Sequence, residues 1–179
     1  MKNNNNNTMS RRSLLKVGIG GAVVLATAGV ATSVVIHNKQ SVAGGFKQLR
    51  TKDVPMLTAV IGVILQGRSA GPVTQSQIET ALGRMDVNLD HLSPALLKQT
   101  LQLFDLLTLS ASRGVVTGIW RPWEQASDTQ VRNFLTRWES SRFALFQQGY
   151  SALAKLTLMA WYSAPDAWPG CGYPGPPAI

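Results

Sequence analysis

The chain has 179 residues, 45% of them hydrophobic and 15% charged, with two histidines and one cysteine. A single cysteine excludes an internal disulfide, and so few histidine and cysteine side chains cannot supply a transition-metal site. The formal charge of +8 is misleading, because five of the seventeen basic residues precede residue 40 and no acid occurs before Asp53, leaving +3 from residue 40 onward. Those later cations are scattered, which excludes the basic run of a nucleic-acid binder.

The first 40 residues read as a targeting or anchoring segment. Asn3 to Asn7 is a polar low-complexity run, and Met9 can serve as an alternative start. Ser10, Arg11, Arg12, Ser13, Leu14, Leu15 and Lys16 then precede an uncharged run from Val17 to Ile36. Paired arginines before a mildly apolar run match the twin-arginine signal that bacteria use to export folded proteins. The run is diluted by Gly18, Gly20, Gly21, Gly29, Thr27 and Thr32, which fits such a signal better than a tightly packed span. As a helix it would still reach roughly 30 Å, enough to cross a bilayer core. An anchor therefore remains open beside a cleaved signal, for which Ala26-Thr27-Ala28 is the small-x-small site.

Residues 41–162 carry the body, expected to be one all-α domain of four to six helices. Ser41 to Gly45 reads as a flexible linker broken by Gly44-Gly45. Thr51 or Asp53 can cap a first helix, with Pro55 in its opening turn and Val54, Leu57, Val60, Ile61, Ile64 and Leu65 on its apolar face. After the Gly71-Pro72 turn, Ile78, Leu82 and Met85 recur at helical spacing. Asp86 to Asp90 resembles the opening of a calcium loop but lacks its glycine and terminal glutamate, so it reads as a solvated turn between helices. Ser93-Pro94 starts a third helix, a cap followed by proline at the first helical position, with Leu96, Leu97, Leu101, Phe104 and Leu107 expected inward. Gly114, Gly118 and Pro122 predict a broken helix or loop. Ser127 and Gln130 form a capping box, opening a helix whose stripe is Val131, Leu135, Trp138, Leu145, Leu153 and Leu156. Gly149 is expected to bend or interrupt it before an end near Tyr162.

Residues 163–179 differ in kind. From Pro165 to Pro177 there are five prolines and three glycines with Trp168 and Tyr173 between them, so an extended segment is expected, lying on its own domain or on another protein. Of the five tryptophans, Trp138 belongs to the stripe. Trp120 and Trp123 flank Pro122, where they either roof the core or anchor a partner. Trp168 and Tyr173 favour the partner, since aromatic side chains supply most interface anchoring. Cys171, between Gly170 and Gly172, is either a small filler or the half of an intermolecular disulfide.

Catalytic chemistry is sparse. His37 belongs to the N-terminal segment, and His91 precedes a helix cap as a lone imidazole. The carboxylates Asp86, Asp90, Asp105, Glu124, Asp128 and Glu139 have no compact ligand spacing, and no phosphate-cradling glycine pattern occurs outside the N-terminal segment.

The N-terminal segment, the small helical body and above all the ending Ala160-Trp161-Tyr162-Ser163-Ala164-Pro165-Asp166-Ala167-Trp168-Pro169-Gly170-Cys171-Gly172-Tyr173-Pro174 resemble the small subunits of membrane-associated FAD-dependent dehydrogenases. That family includes the third subunit of gluconate 2-dehydrogenase and the small subunit of bacterial FAD-dependent glucose dehydrogenase. Trp120 to Glu124 and Ser141-Arg142-Phe143 are weaker echoes. The resemblance implies a non-catalytic, periplasmic subunit that binds no cofactor itself. Its implied partners are a large FAD-containing chain of the glucose-methanol-choline type and the twin-arginine translocase, and a cytochrome c subunit stays open as a third. It implies Trp120, Trp123, Trp161, Tyr162, Trp168, Tyr173 and Pro174 as partner-binding residues, and a cysteine on the large chain as the mate of Cys171. Two other readings stay in competition: an independent membrane-anchored helical binding protein and an enzyme in its own right.

Overall fold

A computed structural model describes residues 41–168, apart from 67 and 70, together with residue 172. Among them are six α-helices and two 3-10 turns, and no strand. The helices are α1 (Asp53–Leu65), α2 (Gln75–Asp90), α3 (Pro94–Thr108), α4 (Ser110–Thr117), α5 (Asp128–Glu139) and α6 (Ala144–Tyr162), and the 3-10 turns are Trp123–Gln125 and Pro165–Ala167. The fold is all-α.

Helix α1 is the axis of the core. It touches α2, α3, α5, α6 and the first 3-10 turn, so Met56 and Val63 are buried as well as Leu57, Val60, Ile61, Ile64 and Leu65. A helix covered on most sides has no solvent face to mark with polar residues, which is why its sequence shows a run rather than one stripe. Its first turn holds the buried carboxylate of Asp53, which accepts from Arg50 Nε at 2.7 Å and Nη2 at 3.0 Å. Arg50 also pairs with Asp105 of α3 at 2.8 Å, and Lys52 reaches the same carboxylate. Neither Thr51 nor Asp53 caps the helix with its side chain; Asp53 is spent on Arg50 instead.

The segment before α1 is an ordered loop rather than a free linker. Val42 and Arg50 form an antiparallel bridge, and Ala43 N–H donates to Leu49 O at 2.9 Å. The successive amides of Lys47, Gln48 and Leu49 all donate to the Asp86 carboxylate, at 2.7, 2.8 and 2.8 Å. Asp86 is thus a buried staple inside α2, not part of a solvated turn, and α2 runs through to Asp90. Charge-assisted bonds from three amides are what allow a carboxylate to be buried there. At the rim, Asp90 accepts from Gln48 Nε2 and Lys47 Nζ, both at 3.0 Å. Helix α2 opens on a second capping box, Thr74 with Gln77.

Helix α3 starts as the Ser93-Pro94 signal requires, with Leu96 N–H donating to Ser93 Oγ at 3.4 Å. Only Phe104 and Leu107 are buried in it, so its C-terminal half is the packed part and Leu96, in the first turn, faces solvent. Residues 114–121 do contain the expected break. Helix α4 runs to Thr117 and stops at Gly118, whose φ of 75° is left-handed.

The stripe expected over residues 131–156 belongs to two helices. Ser140 Oγ donates to Thr136 O and Ser141 Oγ accepts from Phe143 N–H, local bonds that compete with helix continuation. The chain turns there, so Leu145 falls outside the stripe and is exposed. Gly149 does not interrupt α6; it is buried, and a Cβ on it would lie 2.4 Å from Trp138 Cζ3. Helices α5 and α6 meet at that glycine because it has no side chain. Trp138 stacks on Phe146, with centroids 5.2 Å apart, and meets Phe134 edge-on at 4.9 Å. As far as Trp168 the chain after α6 does not run extended: Pro165–Ala167 is a 3-10 turn, with Ala164 and Ala167 in the core. Trp168 donates its indole N–H to Tyr162 O at 3.0 Å.

Candidate partner-binding face

The segment joining α4 to α5 carries two tryptophans with opposite fates. Trp123 is 4% exposed and donates its indole N–H to Leu107 O at 2.9 Å. Trp120, three residues earlier, is 71% exposed. The difference lies in how the backbone between them is held. Gly118 allows the sharp reversal. Ile119 N–H then donates to Thr117 Oγ1 at 3.0 Å, burying Ile119 and turning its successor outward.

Arg113 fixes this geometry from α4, donating through Nε to Ile119 O at 3.3 Å and through Nη2 to Trp120 O at 3.2 Å. From α5, Arg137 Nη2 and the Trp138 indole both donate to Val116 O, at 3.1 and 2.9 Å. The Val116 carbonyl, in the last turn of α4, is therefore satisfied by side chains rather than by a continuing helix. The Trp120 ring lies directly on Gly114, where a Cβ would come within 2.3 Å of its Cε3. One ring face is seated and the other is open.

Beside this finger lies an open cleft of about 430 Å³, lined by Ser41, Lys52, Thr108, Arg113, Trp123 and Glu124 among others. Its cations are Lys52 and Arg113, and its carboxylate is Glu124. A second cleft, of about 500 Å³, lies between α1 and α2 around Thr58, Gly62, Val73 and Ile78.

Helix α6 presents another solvent face. Leu145, Gln148, Lys155, Met159 and Tyr162 are exposed, and their spacing puts them along one side. Met159 is 61% and Tyr162 37% exposed. Lys155 is the one charged residue in the helix.

The residues picked from the sequence therefore separate. Trp120 and Tyr162 stand at the surface. Trp123 and Trp161 are core, both under 9% exposed, so neither can anchor a partner without the body opening. Trp168 is half-buried and tied to Tyr162. Ser10, Arg11, Arg12, Leu14, Leu15, Lys16, Cys171, Tyr173 and Pro174 lie outside the described residues. His91 caps α2 and sits against Val87 O at 2.7 Å. Among the described residues no group of three His, Cys, Asp or Glu side chains could hold a metal ion, and no helix is long and apolar enough to cross a membrane.

Arg113, Gly114, Val115 and Met159 were not visible as site residues in the sequence. Gly114 was readable only as a helix breaker, and Arg113 as a scattered charge. No protein-family model, no curated protein and no solved structure matches this chain.

Proposed function

We propose that this chain is a non-catalytic small subunit. It binds the large FAD-dependent subunit of an alcohol or sugar dehydrogenase, stabilises it, and escorts it through the twin-arginine export pathway to the periplasm. The observation that carries the reading is Trp120, 71% exposed and held in place by Arg113. A large aromatic held rigidly in water is costly for an isolated domain and is what an interface anchor requires. The exposed face of α6 supports the same role, and the resemblance of the ending supplies the partner's identity. A flavoprotein must fold around FAD before export, so a tightly held escort with one folded-protein signal can carry both chains. In this reading FAD belongs to the partner, the part of the tail beyond Trp168 lies on it, because Ala164 and Ala167 are already packed on the chain's own body, and Cys171 locks the pair by a disulfide formed after export. The uncharged run from Val17 to Ile36 favours a second reading, an independent membrane-anchored binding protein of the periplasm.

One purification separates the two. Tagged chain isolated from its native cells should bring down a yellow, FAD-containing large chain, joined to it on a non-reducing gel and released by reductant. Replacing Arg11 and Arg12 together by lysine should abolish dehydrogenase activity in the periplasm while leaving the cytoplasmic complex intact. A chain purified without flavin, or normal periplasmic activity in the double variant, removes the escort role.

A further inference from the structure

The sequence places an aromatic at position 120, but only the structure shows the setting in which it stands. Trp120 rests on Gly114, a glycine within α4. Glycine inside a helix costs about 0.5–1 kcal/mol relative to alanine, and here it makes the seat for one face of an indole whose other face is open. The ring's backbone is clamped by Arg113. Val115, next to the seat, is 74% exposed. Arg121, the following residue, is exposed and makes no hydrogen bond or ion pair among the described residues. Arg137, also exposed, places its guanidinium 3.1 Å from where a Cβ on Gly118 would stand. Arg113 thus sits at the Trp120 carbonyl, Arg121 follows it in the chain and Arg137 lies beside Gly118, and Glu124, on the wall of the adjacent cleft, is the carboxylate nearest in the chain. The cleft adds Lys52 and Arg113.

We propose that this finger is a protein-docking knob for an apolar pocket rimmed by carboxylates on a partner polypeptide. Trp120 and Val115 fill the pocket while Arg121 and the free N–H groups of Arg113 and Arg137 pair with the rim. The charge pattern selects this occupant. A second copy would bring the same three arginines against themselves, and like charges at close range oppose that contact. The knob is preformed, so docking gives up little conformational freedom. The proposal rests on the partner-binding reading but not on the partner being a flavoprotein.

The test uses the full chain in its native cells, with Val115 replaced by the photo-crosslinking residue p-benzoylphenylalanine. Irradiation should join it to a partner polypeptide, and mass spectrometry should place the junction in a segment carrying Asp or Glu beside apolar residues. The yield should fall at least tenfold with Trp120→Ala or Arg121→Glu and persist with Arg121→Lys. Circular dichroism checks that each variant keeps its helices, and Arg121→Glu touches no internal contact. Crosslinking to a second copy, to a segment without carboxylates or to no protein overturns the proposal, as does a yield indifferent to Trp120 and Arg121. A junction on an acidic segment of a chain that lacks FAD leaves the knob standing and removes the flavoprotein reading.

Discussion

Two glycine-to-alanine changes should move stability in opposite directions although intrinsic propensity favours both. Alanine in a helix interior gains about 1 kcal/mol over glycine. At Gly149, however, the new Cβ would sit 2.4 Å from Trp138 Cζ3 and 2.9 Å from Cε3, where carbon atoms prefer roughly 3.5–4.0 Å. The ring would have to withdraw by about 1 Å. It cannot do so freely, because Phe146 stacks on it at 5.2 Å and Phe134 meets it at 4.9 Å, and its N–H is bound to Val116 O at 2.9 Å. Overpacking of this kind costs about 1–3 kcal/mol, or more where neighbours are fixed. With the ring fixed by three contacts the cost falls in the upper part of that range, about 2–3 kcal/mol, so after the propensity gain the net expectation for Gly149→Ala is a loss of about 1–2 kcal/mol, or a Tm lower by about 4–8 °C at this body size. At Gly83, in α2, nothing lies within 4 Å of a Cβ, so Gly83→Ala should gain about 0.5–1 kcal/mol. Urea unfolding of the full chain, followed by tryptophan fluorescence and far-ultraviolet circular dichroism, reads both. A Gly149→Ala protein as stable as the parent would show that α5 and α6 do not meet at this glycine.

Asp86→Asn should cost about 1–3 kcal/mol, because the amide turns an NH2 group toward one of three backbone donors; hydrogen exchange should accelerate at Lys47, Gln48 and Leu49 more than in α5, and uniform acceleration would count against a local staple. Asp90 is held below the usual carboxylate range by hydrogen bonds from Gln48 and then from Lys47, so its contribution is present above the unfolded pKa and lost as pH falls through the depressed folded one. In an NMR titration Gln48→Ala should move the Asp90 midpoint upward, and an unmoved midpoint would assign the depression elsewhere.

What the sequence made legible was what neighbouring residues decide among themselves. The starts at Ser93 and Ser127 are local hydrogen bonds over three residues, and both stand where the residues put them. Asp86 was opaque for the opposite reason: its partners lie 37–39 positions away, so nothing beside it betrays burial. With the calcium-loop pattern incomplete, a solvated turn was the expectation its neighbours left. Gly149 misled because a helical glycine that weakens a helix and one that admits a neighbouring ring look identical in one dimension. The same limit applies to the candidate site. Trp120 and Trp123 flank one proline, yet whether each points in or out is set by Thr117, Arg113 and the distant carbonyl of Leu107.

The loop from Ser41 to Arg50 also determines how the body responds to mechanical load. Tension on the chain ahead of Ser41 enters at the Ser41–Thr51 and Ala43–Leu49 hydrogen bonds, which close a hairpin and so open one after another rather than together. The three amides on Asp86 come next, and behind them the doubly bonded Arg50–Asp53 pair at the head of α1. Released in full, these ten residues extend to about 33–36 Å. The loop is therefore a length reserve in series with the core: it transmits a pull to α1 only after that slack has been drawn out.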